Sequence, residues 1–285
     1  MKKIFNSIRN VSLLFLFRFV GAIFPKYVAG VAFSIFTKPS RHYPRKSDNE
    51  LLNQAIEVYE QFEGDTVSGY RFGSGDKLIL LVHGWSSHAL SMRRFIPELL
   101  KKGYSVLSYD APGNGKSTGT HLTPVKYIRL LQYIFAKYKI YGVIGHSIGG
   151  NCVLFAIAKS KLGNKITKQV IIGAPIGAIF PIKQFIHYTK LNKRAVVQFY
   201  NIIDKLANND RRALSLTTAY PDGLNLSSLI IHDANDEVVP FKNGKEISSV
   251  LPNAELFVTQ KLGHLDILKS PLVINKVIDY FADNS

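Results

Sequence analysis

From residue 65 onward the chain alternates short apolar runs with helix-compatible segments, and this rhythm constrains its fold more than any other feature. Strand-like runs fall at 67–72, 78–82, 104–109, 141–144, 169–172, 229–232 and 255–258. Helix-like segments fall at 90–100, 124–138, 151–160, 243–250 and 271–281. Nearly continuous apolar strands must be covered on both faces, and the intervening helices are the cover. The expected fold is therefore α/β, a mostly parallel central sheet with helices on both faces. In such sheets a ligand binds beyond the carboxyl ends of the strands, so the residues just after each run are where chemistry is to be sought. A length of 285 residues allows one large core, or a domain carrying an insertion.

One such strand end reads Gly145-His146-Ser147-Ile148-Gly149. A serine between glycines at a strand-to-helix turn can be held in a strained backbone with its hydroxyl exposed, and the helix start offers N–H groups to a developing oxyanion. Alone, the pattern would arise by chance in roughly one such chain in ten. Partners decide its meaning, because a serine hydroxyl needs a base, and the base an orienting carboxylate. Both types occur downstream, in Asp233-Ala234-Asn235-Asp236-Glu237-Val238-Val239-Pro240 and in Gly263-His264-Leu265-Asp266, each just past a strand run.

Over roughly residues 65–284 these segments resemble the α/β-hydrolase superfamily of serine hydrolases. The resemblance implies Ser147 as nucleophile, Asp236 as acid and His264 as base, in the family's chain order. Asp236 to Pro240 has the family's Asp-x-x-Val-Pro form, whereas Asp233 and Glu237 are rival acids displaced from the matching position. His83-Gly84-Trp85 is similar to the family's oxyanion segment, which implies that the backbone N–H groups of Trp85 and Ile148 bind the oxyanion. Asp110-Ala111-Pro112-Gly113-Asn114-Gly115-Lys116-Ser117 resembles the family's turn in which the aspartate and serine brace loops. The same stretch is not a phosphate-binding loop, since glycine is required where Asp110 stands. No cofactor or metal is implied.

The activity this implies is hydrolysis of a carboxylic ester, including a lipid acyl ester, through an acyl-enzyme. Thioester hydrolysis, amide hydrolysis and acyl transfer use the same triad and stay open, and a non-catalytic binding protein is the alternative of a different class. Between 175 and 226 the strand–helix rhythm stops, where the family inserts a helical cap. Basic residues there (Lys183, Lys190, Lys193, Arg194, Lys205, Arg211, Arg212) outnumber Asp204, Asp210 and Asp222. They form either a solvated face or a recognition surface for an anionic substrate.

The first 46 residues differ in character and are read as a hydrophobic, basic segment ahead of a catalytic domain at 47–285. Two apolar runs, 11–24 and 27–36, are separated by Pro25-Lys26 and interrupted by Arg18. A mid-bilayer cation costs roughly 2.5–3.5 kcal/mol, so a spanning helix is disfavoured. A helical hairpin lying in one leaflet, on the cytoplasmic side, is the expectation, with helices packed on the protein's own body and an export signal as the alternatives. The net charge of +16 also favours an anionic surface. Nucleic acid is disfavoured, because zinc-finger spacing and RNP-like aromatics are missing. Ser47-Asp48 is expected to cap a helix over 50–62. The single Cys152 excludes an internal disulfide.

Overall fold

A computed structural model describes residues 11–159, 166–207, 216 and 226–282 of the chain. Eight strands form one sheet: β1 (Ile56–Phe62), β2 (Asp65–Phe72), β3 (Leu78–Val82), β4 (Ser105–Tyr109), β5 (Ile140–His146), β6 (Lys168–Ile172), β7 (Ser227–Asp233) and β8 (Ala254–Thr259). Their order is β1-β2-β4-β3-β5-β6-β7-β8. The pairings β1–β2 and β2–β4 are antiparallel, and every other pairing is parallel. Helices of seven residues or more are α1 (Pro25–Thr37), α2 (Phe95–Lys101), α3 (Pro124–Lys137), α4 (Ile148–Ala158), α5 (Ile179–Thr189), α6 (Lys193–Leu206), α7 (Lys242–Val250) and α8 (Pro271–Ala282).

The two-sided burial follows from the pleat. Successive side chains on a strand point to opposite faces. Thus Leu78, Leu80 and Val82 of β3 enter a core with α3, α4 and α7, while Ile79 and Leu81 enter a second core with α2 and α8. Pro124 sits in the first turn of α3 behind Thr123, whose hydroxyl accepts the Lys126 N–H.

The expected helix over 50–62 is corrected. Only Asn49–Leu52 is helical, and 56–62 is strand β1, joined to β2 by the two-residue turn Glu63-Gly64. Both turn residues have positive φ (46° and 80°), the geometry of a tight hairpin. The stripe at Leu51, Leu52, Ala55, Ile56 and Tyr59 fits a helix. On β1, however, the buried positions are Glu60 and Phe62, alternate residues of a strand. Asp48 caps no helix through its side chain; it accepts the Arg45 N–H and pairs with Arg93 at 2.7 Å.

The division at residue 46 is also not a division in space. Segment 11–37 lies on the cap formed by α5 and α6, and Phe17, Val28, Ala29 and Ala32 share a core with Ile182, Phe185, Ala195 and Phe199. The Asn192 N–H donates to the Phe17 carbonyl (3.0 Å), and the Arg194 guanidinium donates to the Ala22 carbonyl (3.1 Å). Among the described residues no helix is long and apolar enough to cross a membrane. Arg211, Arg212, Asp210 and Asp222 of the expected basic cap lie outside the described residues.

Candidate active site

Ser147 stands between β5 and α4 with φ 55° and ψ −130°, a conformation that costs an L-residue energy and is held by its surroundings. Its N–H donates to the Ile172 carbonyl (2.9 Å). The neighbouring glycines are required by close approach. A Cβ on Gly145 would lie 2.6 Å from the Gly150 Cα, and one on Gly149 would lie 2.2 Å from the His83 carbonyl oxygen. The turn is therefore clamped between α4 and the end of β3.

The loops after β7 and β8 bring two distant residues to this serine. His264 Nε2 lies 2.9 Å from Ser147 Oγ, and His264 Nδ1 lies 2.7 Å from Asp236 Oδ2. The remaining oxygen, Asp236 Oδ1, accepts the N–H groups of Val238 (2.8 Å) and Val239 (2.9 Å). Burial pushes the Asp236 carboxyl up, but the His264 bond and these N–H donors outweigh it and hold the group below the usual carboxylate range. An ionised Asp236 fixes the proton of neutral His264 on Nδ1, which leaves Nε2 as acceptor toward the serine.

The two rival acids stand elsewhere. Asp233 is buried and accepts hydrogen bonds from Thr259 Oγ1 (2.8 Å), Leu262 N (3.0 Å) and Asn235 N (2.9 Å), tying the ends of β7 and β8 together. Glu237 is exposed. Asp110 and Ser117 brace the β4 loop. The Asp110 carboxylate accepts the N–H groups of Ala89 and Lys116, and the Ser117 hydroxyl donates to the Asp110 carbonyl.

The His83-Gly84-Trp85 segment lies against the serine, since a Cβ on Gly84 would be 3.0 Å from Ser147 Cβ. Ile148 opens α4, where a helix leaves its first N–H groups without intrahelical acceptors. His83 is a buried spacer: Nε2 accepts the Ala111 N–H (2.9 Å) and Nδ1–H donates to the Gly84 carbonyl (2.7 Å). Burial lowers its pKa, consistent with this neutral form.

Three contributors escaped the sequence reading. His146 donates Nε2–H to the His264 carbonyl (2.9 Å), and burial, followed by repulsion from His264, lowers its pKa to about 3. It is thus a neutral tether for the backbone of His264. His232 donates Nε2–H to the Val239 carbonyl (2.8 Å) and so pins the loop that carries Asp236. No local pattern marks either role, because each bond joins segments remote in sequence or folded back on themselves. The third is the N-terminal segment, which reaches the site through Ile35 and Phe36.

These two residues line an apolar pocket at Ser147 together with Trp85, Pro124, Ile148, Pro175, Phe180, Pro181, Phe185 and Val239. Its open space, mouth included, is ≈ 730 Å³. None of the described cap cations lines it. Lys183, Lys190, Lys193, Arg194 and Lys205 are all exposed.

A polypeptide with this sheet order, a strained serine after the fifth strand and a cap after the sixth has the architecture of an α/β hydrolase. The family model described as the alpha/beta hydrolase fold matches residues 77–220. A curated relative, the uncharacterized hydrolase YugF of Bacillus subtilis (strain 168), is 25% identical over 273 residues, covering 80% of this chain and 99% of that protein. Among solved structures, the esterase PF2001 of Pyrococcus furiosus superposes with a TM-score of 0.63 at 23% identity, covering 86% of this chain and 96% of the other. A membrane phospholipase A superposes with a TM-score of 0.61 at 16% identity, covering 95% of this chain and 94% of the other. The chain belongs to the α/β-hydrolase family. It is a hydrolase by family.

Proposed function

We propose that this chain hydrolyses carboxylic esters through an acyl-enzyme formed on Ser147. The observation that carries this reading is the continuous chain Ser147–His264–Asp236, at 2.9 and 2.7 Å, opening onto a pocket that no charged side chain lines among the described residues. In the first half-reaction Ser147 Oγ attacks the ester carbonyl carbon while His264 Nε2 takes its proton. Asp236 stabilises the imidazolium so formed. The carbonyl oxygen becomes an oxyanion facing the N–H groups of Trp85 and Ile148, each such donor being worth roughly 10²–10³ in rate. The tetrahedral adduct collapses, His264 protonates the departing alcohol, and water enters with His264 again as base. Ser147 is then released with the carboxylic acid. The apolar lining supports an uncharged or lipid-like ester over a small anionic substrate.

The test is an activity panel of p-nitrophenyl esters with matched thioesters and anilides, run beside fluorophosphonate labelling. Wild type is expected to be labelled and to turn over esters fastest, and Ser147→Ala to lose both properties. Equal labelling of the two proteins would remove Ser147 as nucleophile. A thioester or anilide preferred over the ester would move the bond class.

The reading includes attachment to an anionic membrane surface by one face of segment 11–37. Phe15, Phe19, Ile23, Phe24 and Tyr27 are exposed on the side away from the cap. Arg18, Lys26, Lys193 and Arg194 are exposed near them. An apolar face rimmed by cations suits the headgroup boundary, each nearby cation adding about 1 kcal/mol. Because this segment also covers the cap core, truncating it is a poor test. The double substitution Ile23→Glu and Phe24→Glu is expected to abolish sedimentation with phosphatidylglycerol-containing vesicles while leaving esterase turnover in solution intact. Undiminished sedimentation would place attachment elsewhere.

A further inference from the structure

A second apolar pocket, with ≈ 390 Å³ of open space, mouth included, lies between α1, the first turn of α3 and the cap helices. Its walls include Phe33, Val125, Ala178, Ile182, Ile203 and Leu206. Two threonines also border it, but their hydroxyls are committed elsewhere. Thr37 Oγ1 donates to the Phe33 carbonyl (2.9 Å), and Thr123 Oγ1 accepts the Lys126 N–H (3.1 Å). Among the described residues the lining therefore offers a ligand hydrocarbon contact. Polar molecules have no partner there, whereas an alkyl chain loses only water.

This cavity and the pocket at Ser147 share two lining residues, Phe36 and Pro124. Pro124 is fixed by its ring in the first turn of α3. Phe36 is the other half of the partition. It is half-buried in the last turn of α1, and its ring lies 5.0 Å from Phe185, 5.8 Å from Phe199 and 6.4 Å from Trp85, centroid to centroid. The Phe36 side chain thus stands between the pocket at Ser147 and the second one.

We propose that the second cavity is a tail subsite for a long unbranched acyl chain, entered from the catalytic pocket past Phe36. The substrate class is then esters of long-chain fatty acids, with the first carbons beside Ser147 and the distal methylenes between α1 and the cap. For turnover the inference rests on the ester-hydrolase reading. For binding it rests on the two cavities alone.

The experiment separates these two parts. Trp85 is the only tryptophan in the sequence and lines the catalytic pocket, so its fluorescence reports occupancy independently of catalysis. Ser147→Ala protein is titrated with dodecanoate and with butyrate, alone and combined with Val125→Trp, read through an added reporter on the ligand since that variant adds a second indole, or with Phe36→Ala. In parallel, kcat/KM is measured for p-nitrophenyl dodecanoate and butyrate in the Ser147 background. The expected result is a dodecanoate-to-butyrate ratio raised at least tenfold by Phe36→Ala and lowered at least tenfold by Val125→Trp, since each methylene buried is worth about fourfold. Phe36→Leu, a milder change, is expected to fall between wild type and Phe36→Ala and serves if Phe36→Ala melts early. Chain-length ratios unmoved by both substitutions would overturn the subsite. Dodecanoate binding that obeys the pattern without ester turnover would uphold the subsite and refute the ester-hydrolase reading.

Discussion

Asp236→Asn probes the assignment of the acid most sharply, because the replacement is nearly isosteric and its effect can be worked from the hydrogen bonds. Asp236 Oδ1 accepts two backbone N–H groups and Oδ2 accepts from His264 Nδ1. An asparagine has one acceptor oxygen, and two backbone donors will claim it. Its amide N–H₂ must then face His264, so Nδ1 becomes the acceptor and the imidazole proton moves to Nε2. A proton on Nε2 faces Ser147 Oγ across 2.9 Å and blocks removal of the serine's own proton. The penalty for this wrong tautomer in such a triad is on the order of 10⁴ in kcat. That corresponds to about 5.4 kcal/mol of transition-state stabilisation. The assay is kcat on p-nitrophenyl butyrate, with thermal melting to show that the fold is kept. Asp233→Asn is the matched control: it weakens the bonds to Thr259 and Leu262 and should lower Tm while kcat stays within tenfold. A kcat for Asp236→Asn within tenfold of wild type would refute the argument, as would a larger kcat loss in a folded Asp233→Asn protein.

Two further outcomes follow from packing and titration. Gly149→Ala must push its Cβ away from the His83 and Val82 carbonyl oxygens, which would stand at 2.2 and 2.8 Å, so stability should fall by about 1–3 kcal/mol in urea melts. Turnover should drop as well, because the displaced strand end carries Trp85; an unchanged midpoint would mean that the clamp is loose. Stability should also decline as pH falls from about 6.5 toward 3. Native His146 binds its proton only near pH 3, whereas the unfolded chain's imidazole binds it near the ordinary 6.5, so the unfolded state holds more protons throughout that window. This contributes about 1.4 kcal/mol per pH unit. His88, lowered by burial to about 4, acts in the same direction. Urea midpoints that do not change between pH 7 and pH 5 would contradict the neutral, buried state of His146.

The sequence by itself determined seven of the sheet's eight strands and the chemical candidates. Strand runs buried on both faces advertise themselves as continuous apolar stretches, and β3 has the same bounds in sequence and structure. Ser147, Asp236 and His264 each follow such a strand, and the fold brings them within hydrogen-bond distance. Segment 56–62 was illegible for a physical reason. As the outer, edge strand of the antiparallel β1–β2 hairpin, β1 buries few side chains, so its apolar residues also satisfy a helical period.

Only the tertiary structure decided what surrounds the serine. Periodicity describes which face of an element is apolar, but not which distant element that face will meet. The apolar N-terminal residues therefore left a membrane hairpin and packing on the protein's own body both open, and the fold uses Phe17, Val28 and Ala32 to pack the cap and Phe36 to wall the pocket at Ser147. The tether from His146 to His264 spans 118 residues, and the cavity behind Phe36 exists only where three segments converge. Local preference positioned the reactive groups at strand ends; long-range packing shaped the space in which they act.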